Sequence, residues 1–272
     1  MVYATARGIT ILFGGTDGAQ QLDETWSWDG TTWSPVVVAT RPSKRVSHAL
    51  AYDEARDVVV LFGGNNAALN DTWELTAAGW AQASPTISAP ARLGAAMTYD
   101  AKRRRILLYG GTNTGGGPGL SDLWEWDGIV WVDRTPATRP PPRYGTSIVY
   151  DPGRDRTVLH GGYDGANARS DTWEWDGGTG TWAQRVPAHT VGACAGHQMI
   201  YDPARQVVVL WGGCSNKTWI WDGNDWTEVS LSTAPSERDG FGMVYDLARG
   251  GGLVFGGFDR AIARAVGDSW TY

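Results

Sequence analysis

Short apolar runs, rather than a helical periodicity, dominate this chain. Residues 143–182 show the unit: two β-type runs ending in Tyr-Asp and Gly-Gly, a tryptophan-rich run ending in Asp-Gly, and a single tryptophan. The runs are about five to seven residues long, rich in Val, Ile, Tyr and Trp, and bounded by Gly, Asp and Pro, as strands are. The pattern predicts four strands per repeat and no helix.

The unit recurs from one end of the chain to the other. Its Gly-Gly pairs stand at residues 14–15, 63–64, 110–111, 161–162, 212–213 and 256–257, so that the second glycines are 49, 47, 51, 51 and 44 residues apart. A period near 50 residues with this signature is typical of a kelch-type propeller blade. We predict one all-β domain over residues 1–272, a six-bladed kelch-type β-propeller with four-stranded blades.

The two ends of the sequence fall inside repeats. Residues 1–3 align with residues 243–245, and the last residues, 270–272, lie within the third strand of the sixth repeat. We therefore expect the last blade to lack its outermost strand, either because the molecule ends there or because the natural protein continues.

Turn residues and tryptophans recur at fixed positions. An Asp-x-x-Arg turn, such as Asp53 to Arg56, is expected to close the first hairpin of a repeat, because Asp bonds backbone N–H groups two residues on. An Asp-Gly pair, such as Asp29-Gly30, predicts the tight turn after the third strand. The tryptophan columns are interpreted as packing between neighbouring blades rather than as an exposed aromatic platform.

The repeated Gly-Gly, Tyr-Asp and Trp positions resemble those of the kelch family, which includes a galactose-oxidase-like propeller fold, over essentially the whole chain. The resemblance implies that the first strands line a central channel. It also implies that ligands bind the face formed by the four-to-one and two-to-three loops. No Tyr, Tyr, His, His set for a copper site can be placed, so we expect no metal and no cofactor. Fold alone assigns no activity.

The composition of the chain argues against some classes of binding partner. A net charge of −6 argues against a nucleic-acid or anionic-membrane binder, and no apolar run reaches the roughly 18 residues of a membrane span. No targeting signal precedes the first strand, which favours the cytoplasm by default. A disulfide or processing from a longer precursor would instead indicate an extracytoplasmic protein. We expect a monomer.

Four arginines stand seven residues before the Tyr of a Tyr-Asp pair and are expected to open the first strands: Arg45, Arg92, Arg143 and Arg238. Converging guanidiniums would bind a carboxylate, a phosphate or an acidic peptide. Two residues before the third-strand tryptophan stand Glu24, Asp71, Asp122, Asp171, Lys217 and Asp268. Because the repeat that loses Arg also loses its acid, an alternative is that Arg–carboxylate bridges tie the loops together.

The fifth repeat differs from the others and holds both cysteines, Cys194 and Cys214. If Tyr201 faces Val207 across the hairpin, Cys194 faces Cys214 at a separation that suits a disulfide after local adjustment. Two free thiols, or a metal-binding or nucleophilic role, are the alternatives. His197 and His48 stand three residues after the strand-opening position and are the catalytic candidates, although a packing histidine is the simpler interpretation.

The residues after each Gly-Gly pair begin the two-to-three loops, whose lengths differ between repeats. Tyr163 and Phe258 stand there, and long loops beside the short one of the fifth repeat predict a rim with an entry notch. We interpret the protein as a binding module for a small polar or acidic ligand or for a peptide or protein segment. Its site would comprise the four arginines, the two cysteines, Tyr163 and Phe258. The alternatives are a cyclase, lyase or isomerase with its pocket in the same funnel, and a propeller from a larger secreted or surface protein.

Overall fold

The computed structural model describes residues 1–65, 67–213, 215–231 and 233–271. These residues form antiparallel β-sheets whose strands follow one another in chain order. One 3-10 turn, Thr5–Arg7, is the only helical element in the described part of the chain. No described helix has the length and apolar character needed to cross a membrane.

The first three sheets each hold four strands. The first contains β1 (Val2–Ala4), β2 (Ile9–Phe13), β3 (Thr25–Trp28) and β4 (Trp33–Pro35). The second contains β5 (Ala49–Asp53), β6 (Val58–Phe62), β7 (Thr72–Thr76) and β8 (Gly79–Ala83). The third contains β9 (Ala96–Asp100), β10 (Arg105–Tyr109), β11 (Leu123–Trp126) and β12 (Trp131–Asp133).

Two more four-stranded sheets follow, and then two three-stranded ones. The fourth contains β13 (Ser147–Asp151), β14 (Arg156–His160), β15 (Thr172–Asp176) and β16 (Thr181–Arg185). The fifth contains β17 (Gln198–Asp202), β18 (Val207–Trp211), β19 (Thr218–Trp221) and β20 (Trp226–Val229). The sixth contains β22 (Gly242–Asp246), β23 (Gly251–Phe255) and β26 (Ser269–Thr271). A small seventh sheet contains β21 (Arg238–Asp239), β24 (Phe258–Asp259) and β25 (Arg264–Ala265).

The core lies between sheets rather than within one. Buried side chains cluster across neighbouring sheets, so that Val59 and Leu61 of β6 pack with Ile11 and Phe13 of β2. The first strands also touch in order: β1 contacts β5, β5 contacts β9, β9 contacts β13, β13 contacts β17, β17 contacts β22, and β22 contacts β1. Sheets of this kind are the units of a propeller, as the sequence predicted.

The first-hairpin turns match the sequence prediction. In the turn after β5, one carboxylate oxygen of Asp53 accepts the N–H groups of Ala55 and Arg56, and the other pairs with the Arg56 side chain at 2.6 Å. The same Asp–Arg pair recurs in the third to sixth repeats. Hydrogen bonds between residues close in sequence therefore fix these turns. For this reason the Asp-x-x-Arg pattern predicted them correctly.

The register predicted for the fifth sheet was wrong by one residue. Tyr201 lies opposite Val208, and Asp202 opposite Val207. Gln206 adopts a left-handed conformation with φ of 57°, and the hairpin closes after four residues. Cys214, one member of the predicted disulfide, lies outside the described residues.

Candidate binding face

The Arg143 guanidinium is buried and satisfied within the chain. Nε donates to the carbonyl of Pro141 at 2.9 Å, and one terminal nitrogen donates to the carbonyl of Gly161 at 2.8 Å. The two terminal nitrogens also bind the two carboxylate oxygens of Asp171, at 2.7 and 2.8 Å. The side chain of Arg143 is 0% exposed. This is the bidentate geometry that gives Arg–carboxylate pairs their strength and direction.

Three more repeats contain the same pair: Arg45–Asp71, Arg92–Asp122 and Arg238–Asp268. In each pair the guanidinium also donates to the first glycine carbonyl of its repeat's Gly-Gly pair. The carboxylate additionally accepts the indole N–H of the tryptophan two residues later, as Asp71 does from Trp73 at 2.7 Å. The predicted bridges are therefore present, and the third-strand tryptophan is a third member that the spacing Asp-x-Trp could have revealed.

The bridge dominates the electrostatics of the buried carboxylate. Burial alone would raise the pKa of Asp171, but the hydrogen bonds and charge of Arg143, together with the N–H of Trp173, outweigh it, and the pKa lies below its usual value. The carboxylate thus stays ionised and balances the buried cation.

The arginines do not open the first strands, contrary to the sequence prediction. β5, β9 and β13 begin four residues after Arg45, Arg92 and Arg143, and Arg238 lies in the separate strand β21. The arginines stand in the connecting segments, where backbone groups of Arg92 and Arg143 bridge to Leu69 and Leu120. Their side chains therefore lie behind the loops rather than in the channel wall.

Backbone hydrogen bonds also link successive repeats. They join the residues that stand two positions after three of the arginines, and after Cys194 in the fifth repeat. Gly94 donates to the carbonyl of Ser47, Gly145 to that of Gly94, and Gly196 to that of Gly145, at 2.8 to 2.9 Å. All four residues have a positive φ, between 55° and 76°, which glycine adopts without strain. The motif Arg-x-Gly carries this signal in the sequence, which composition and strand patterns alone did not show.

The next layer out displays a pair of side chains in four of the repeats. The residue after the arginine pairs through its backbone with the residue after the Gly-Gly pair. These pairs are Val46 with Asn65, Leu93 with Thr112, Tyr144 with Tyr163, and Asp239 with Phe258. We call these eight residues the rim pairs. Five of these eight residues have apolar or aromatic side chains, and none has a guanidinium.

The fourth and sixth repeats carry the aromatic rim pairs. The rings of Tyr144 and Tyr163 meet edge to face at 5.5 Å and are half-buried, and Phe258 is 45% exposed. Burial, followed by the nearby Tyr163 and Asp164, raises the pKa of Tyr144. The sequence predicted Tyr163 and Phe258 as site residues, and this stays a prediction; it did not single out Tyr144, the residue after Arg143.

The charged groups near the rim pairs are largely matched. Asp239 accepts two hydrogen bonds from Arg260, at 2.9 and 3.1 Å, and Asp164 pairs with Arg169. Among the described residues, no three His, Cys, Asp or Glu side chains converge as metal ligands.

Cys194 occupies the arginine position of the fifth repeat. Its side chain is disulfide-bonded, and its Sγ lies 3.4 Å from the carbonyl oxygen of Gly212, the acceptor that the other repeats offer to arginine. Lys217, at the acid position, turns outward to Glu228 at 2.7 Å. Cys194 is 1% exposed, so its sulfur belongs to the layer behind the rim pairs.

The two catalytic candidates lie in different seams between sheets. The ring of His48 meets Phe13 at 5.5 Å, and that of His197 meets His160 at 5.6 Å. Burial lowers the pKa of each to about 3, and that of His160 to about 4. The rings of His48 and His197 are therefore neutral near pH 7. Each packs against the first glycine of the preceding repeat's Gly-Gly pair. The geometry brings neither histidine to a reacting group.

One larger cavity lies in the sixth repeat, with a volume of about 600 Å³. Its lining includes Ser236, Arg238, Asp259, Ile262, Arg264, Asp268 and Trp270. This cavity lies one repeat further along the chain than the short loop of the fifth repeat, and the predicted entry notch stays a prediction.

Comparison with known proteins identifies the repeat. A search of curated proteins found no match. A family model described as the KLHDC2/KLHL20/DRC7 kelch-repeats domain matches residues 3–189, which is more than half of the chain. With the Gly-Gly pairs, the four-stranded sheets and this match in agreement, the chain belongs to the kelch-repeat family.

Proposed function

We propose that this protein binds a segment of a partner protein on the loop face, through the rim pairs. Kelch domains commonly mediate protein interactions, so the family indicates a protein-binding propeller module. The observation that carries the finer proposal is the aromatic pair Tyr144–Tyr163, held by reciprocal backbone hydrogen bonds of 2.8 and 2.9 Å. Tyrosines bury large, rigid surfaces at small entropic cost and are enriched in binding hot spots.

In this proposal the arginines support the surface and do not contact the ligand. A ligand carboxylate would have to displace Asp171 from Arg143 and break contacts of 2.7 and 2.8 Å. The buried, neutralised guanidiniums therefore give the loop face little preference for an acidic ligand. Polar groups of a bound segment would instead find hydrogen-bonding partners at Tyr163, Asp239 and Arg260 on the rim.

The fold assignment has a finer form that we also propose: a single domain of six blades, the last with three strands. The first strands touch in order and β22 returns to β1, which supports closure. Trp33 of the first sheet lies 4.8 Å from Phe255 of the sixth and donates to Ser269 at 3.1 Å. One cooperative unfolding transition seen by fluorescence and near-UV circular dichroism is expected, and two separated transitions would contradict a single domain.

Affinity capture tests the binding proposal. The double variant Y144A/Y163A should lose the proteins that the wild type captures from its native cell extract, with unchanged circular dichroism. The matched control is I129A/L247A, which removes two exposed apolar side chains from hairpin turns on the opposite face. Equal capture by Y144A/Y163A and wild type, or loss only in I129A/L247A, would refute the loop face as the binding surface.

A further inference from the structure

The loop face carries only a methyl group at one position of the fifth repeat. Ala195 follows the cysteine that replaces the arginine, so it is the counterpart of Tyr144 in the fourth repeat and of Asp239 in the sixth. A phenol ring and a carboxylate thus stand at this position in the two neighbouring repeats. Both of these residues belong to the rim pairs.

The backbone places these three residues side by side. Gly196 donates to the carbonyl of Gly145 at 2.8 Å, which joins the fourth and fifth repeats. A Cβ atom built on Gly145 would lie 3.9 Å from Cβ of Ala195, and one built on Gly196 would lie 3.0 Å from Cβ of Asp239. Because Tyr144 immediately precedes Gly145, Ala195 lies between Tyr144 and Asp239 on the loop face.

The two-to-three loop of the fifth repeat is shorter than those on either side. The segment between β18 and β19 comprises residues 212–217, whereas the corresponding segments comprise residues 161–171 in the fourth repeat and 256–268 in the sixth. A small side chain beside a short loop leaves room between the two larger side chains. We call the space over Ala195, between Tyr144 and Asp239, the rim gap.

Each side of the rim gap has a polar atom that makes no hydrogen bond within the described part of the chain. Oδ2 of Asp239 accepts both Nε and a terminal nitrogen of Arg260, at 3.1 and 2.9 Å, whereas Oδ1 accepts none. The hydroxyl group of Tyr144 also has no such partner, and its ring meets Tyr163 edge to face. A carboxylate oxygen and a phenol group are therefore available to a bound group.

The charges around the rim gap favour a cation. The guanidinium of Arg260 lies between Asp239, at 2.9 Å, and Glu237, at 3.6 Å, so that two carboxylates share one cation. On the other side of the gap, Asp164 is neutralised by Arg169. The local excess of negative charge has the same sign as the net charge of −6 of the whole chain, and both attract a basic partner.

We propose that the rim gap binds an arginine side chain of the partner segment, a step that rests on the binding function proposed above. The guanidinium donates to Oδ1 of Asp239 and stacks on the ring of Tyr144, while its aliphatic stem lies over the methyl group of Ala195. Arginine fits better than lysine, because its planar group stacks on aromatic rings and offers several donors in a fixed geometry.

Selection from a library of random peptides displayed on phage tests this proposal. We expect the wild-type protein to enrich peptides that contain an arginine, and Y144A/Y163A to enrich none of them. One selected peptide, carrying a fluorophore, is then compared with the same peptide in which citrulline replaces the arginine. Citrulline keeps the shape of the side chain and removes its charge, so it should weaken binding at least about tenfold.

Matched variants place the arginine in the rim gap. D239N should weaken binding of the arginine peptide about tenfold and leave that of the citrulline peptide nearly unchanged. D17N removes an exposed carboxylate from the loop of the first repeat, with the same change in net charge, and should have an effect below about twofold. A195L fills the gap and should abolish the preference for arginine, whereas A195G should retain it. Circular dichroism of each variant checks the fold.

Two results would overturn the arginine site and leave the binding function intact. One is a set of selected peptides that depend on Tyr144 and Tyr163 but contain no arginine, or that bind equally well with citrulline. The other is an equal effect of D17N and D239N, because binding would then depend on overall charge alone. If no selected peptide depends on Tyr144 and Tyr163, the proposed binding function itself fails, and the arginine site fails with it.

Discussion

The fourth and fifth repeats solve the same structural problem by different means. Each must hold a connecting segment against the first glycine of its Gly-Gly pair. The fourth repeat uses a buried ion pair, Arg143 with Asp171, which also takes the N–H of Trp173. The fifth uses Cys194, which is disulfide-bonded and lies beside the Gly212 carbonyl, while Lys217 faces solvent. In both repeats, therefore, this position supports the loop face.

Removing the Arg143 side chain is expected to have the largest effect on stability. The variant R143A should lower the free energy of unfolding by about 3–5 kcal/mol, because Asp171 would remain as a partly buried charge without its partner. Urea denaturation measures the change. A loss below about 1 kcal/mol would contradict the support role.

The buried histidine between these two repeats gives the next largest effect. Burial lowers the pKa of His197 to about 3 in the folded protein, whereas the unfolded chain takes up the proton near pH 6.5. Stability is therefore present above pH 6.5 and is lost as pH falls below it. At pH 5 this one group costs about 2 kcal/mol relative to pH 7.5.

The variant H197F isolates that contribution, since the sixth repeat has Phe241 at the same position. The difference in unfolding free energy between pH 7.5 and pH 5 should shrink by about 2 kcal/mol relative to wild type. H189A is the control, because His189 lies at the surface with its side chain 73% exposed. An unchanged acid limb in H197F would show that the folded protein does not keep this ring neutral.

A smaller effect distinguishes the tryptophans of the two repeats. Trp226 of the fifth donates to Thr172, whereas Nε1 of Trp182 in the fourth has no hydrogen-bond partner among the described residues, because Leu123 stands where other repeats have Thr or Ser. T172V should cost at least about 1 kcal/mol, because it leaves the buried Trp226 N–H without an acceptor and removes the contact of the hydroxyl with Nδ1 of His160 at 3.0 Å. Thermal unfolding measures it, and a neutral result would mean that the indole N–H finds another acceptor.

Lys217 provides the smallest effect and the matched control for Arg143. It occupies the acid position of its repeat, but its side chain is 52% exposed and its partner Glu228 is 38% exposed. K217A should change the unfolding free energy by less than about 0.5 kcal/mol. A cost approaching that of R143A would show that the fifth repeat depends on this ion pair after all.

These contrasts also explain what the sequence could reveal. The strands, the turns and the repeat could be predicted from the sequence, because they depend on local signals such as the Asp53 turn. The Arg–carboxylate bridge could be inferred because the fifth repeat replaces both members, with Cys194 at the arginine position and Lys217 at the acid position. The sequence could not show that the guanidiniums lie behind the loops, that Gly94 and Gly145 join in a backbone network, or that Tyr144 meets Tyr163. Those features depend on how separate repeats meet in space.

A double-mutant cycle on Arg143 and Asp171 tests the support role most directly. Unfolding free energies of R143A, D171A and the double variant give the coupling between the two side chains. We predict a coupling of about 2–3 kcal/mol, because either single change leaves the other charge partly buried. A coupling below about 0.5 kcal/mol would contradict the support role and would mean that the arginines are available to a ligand.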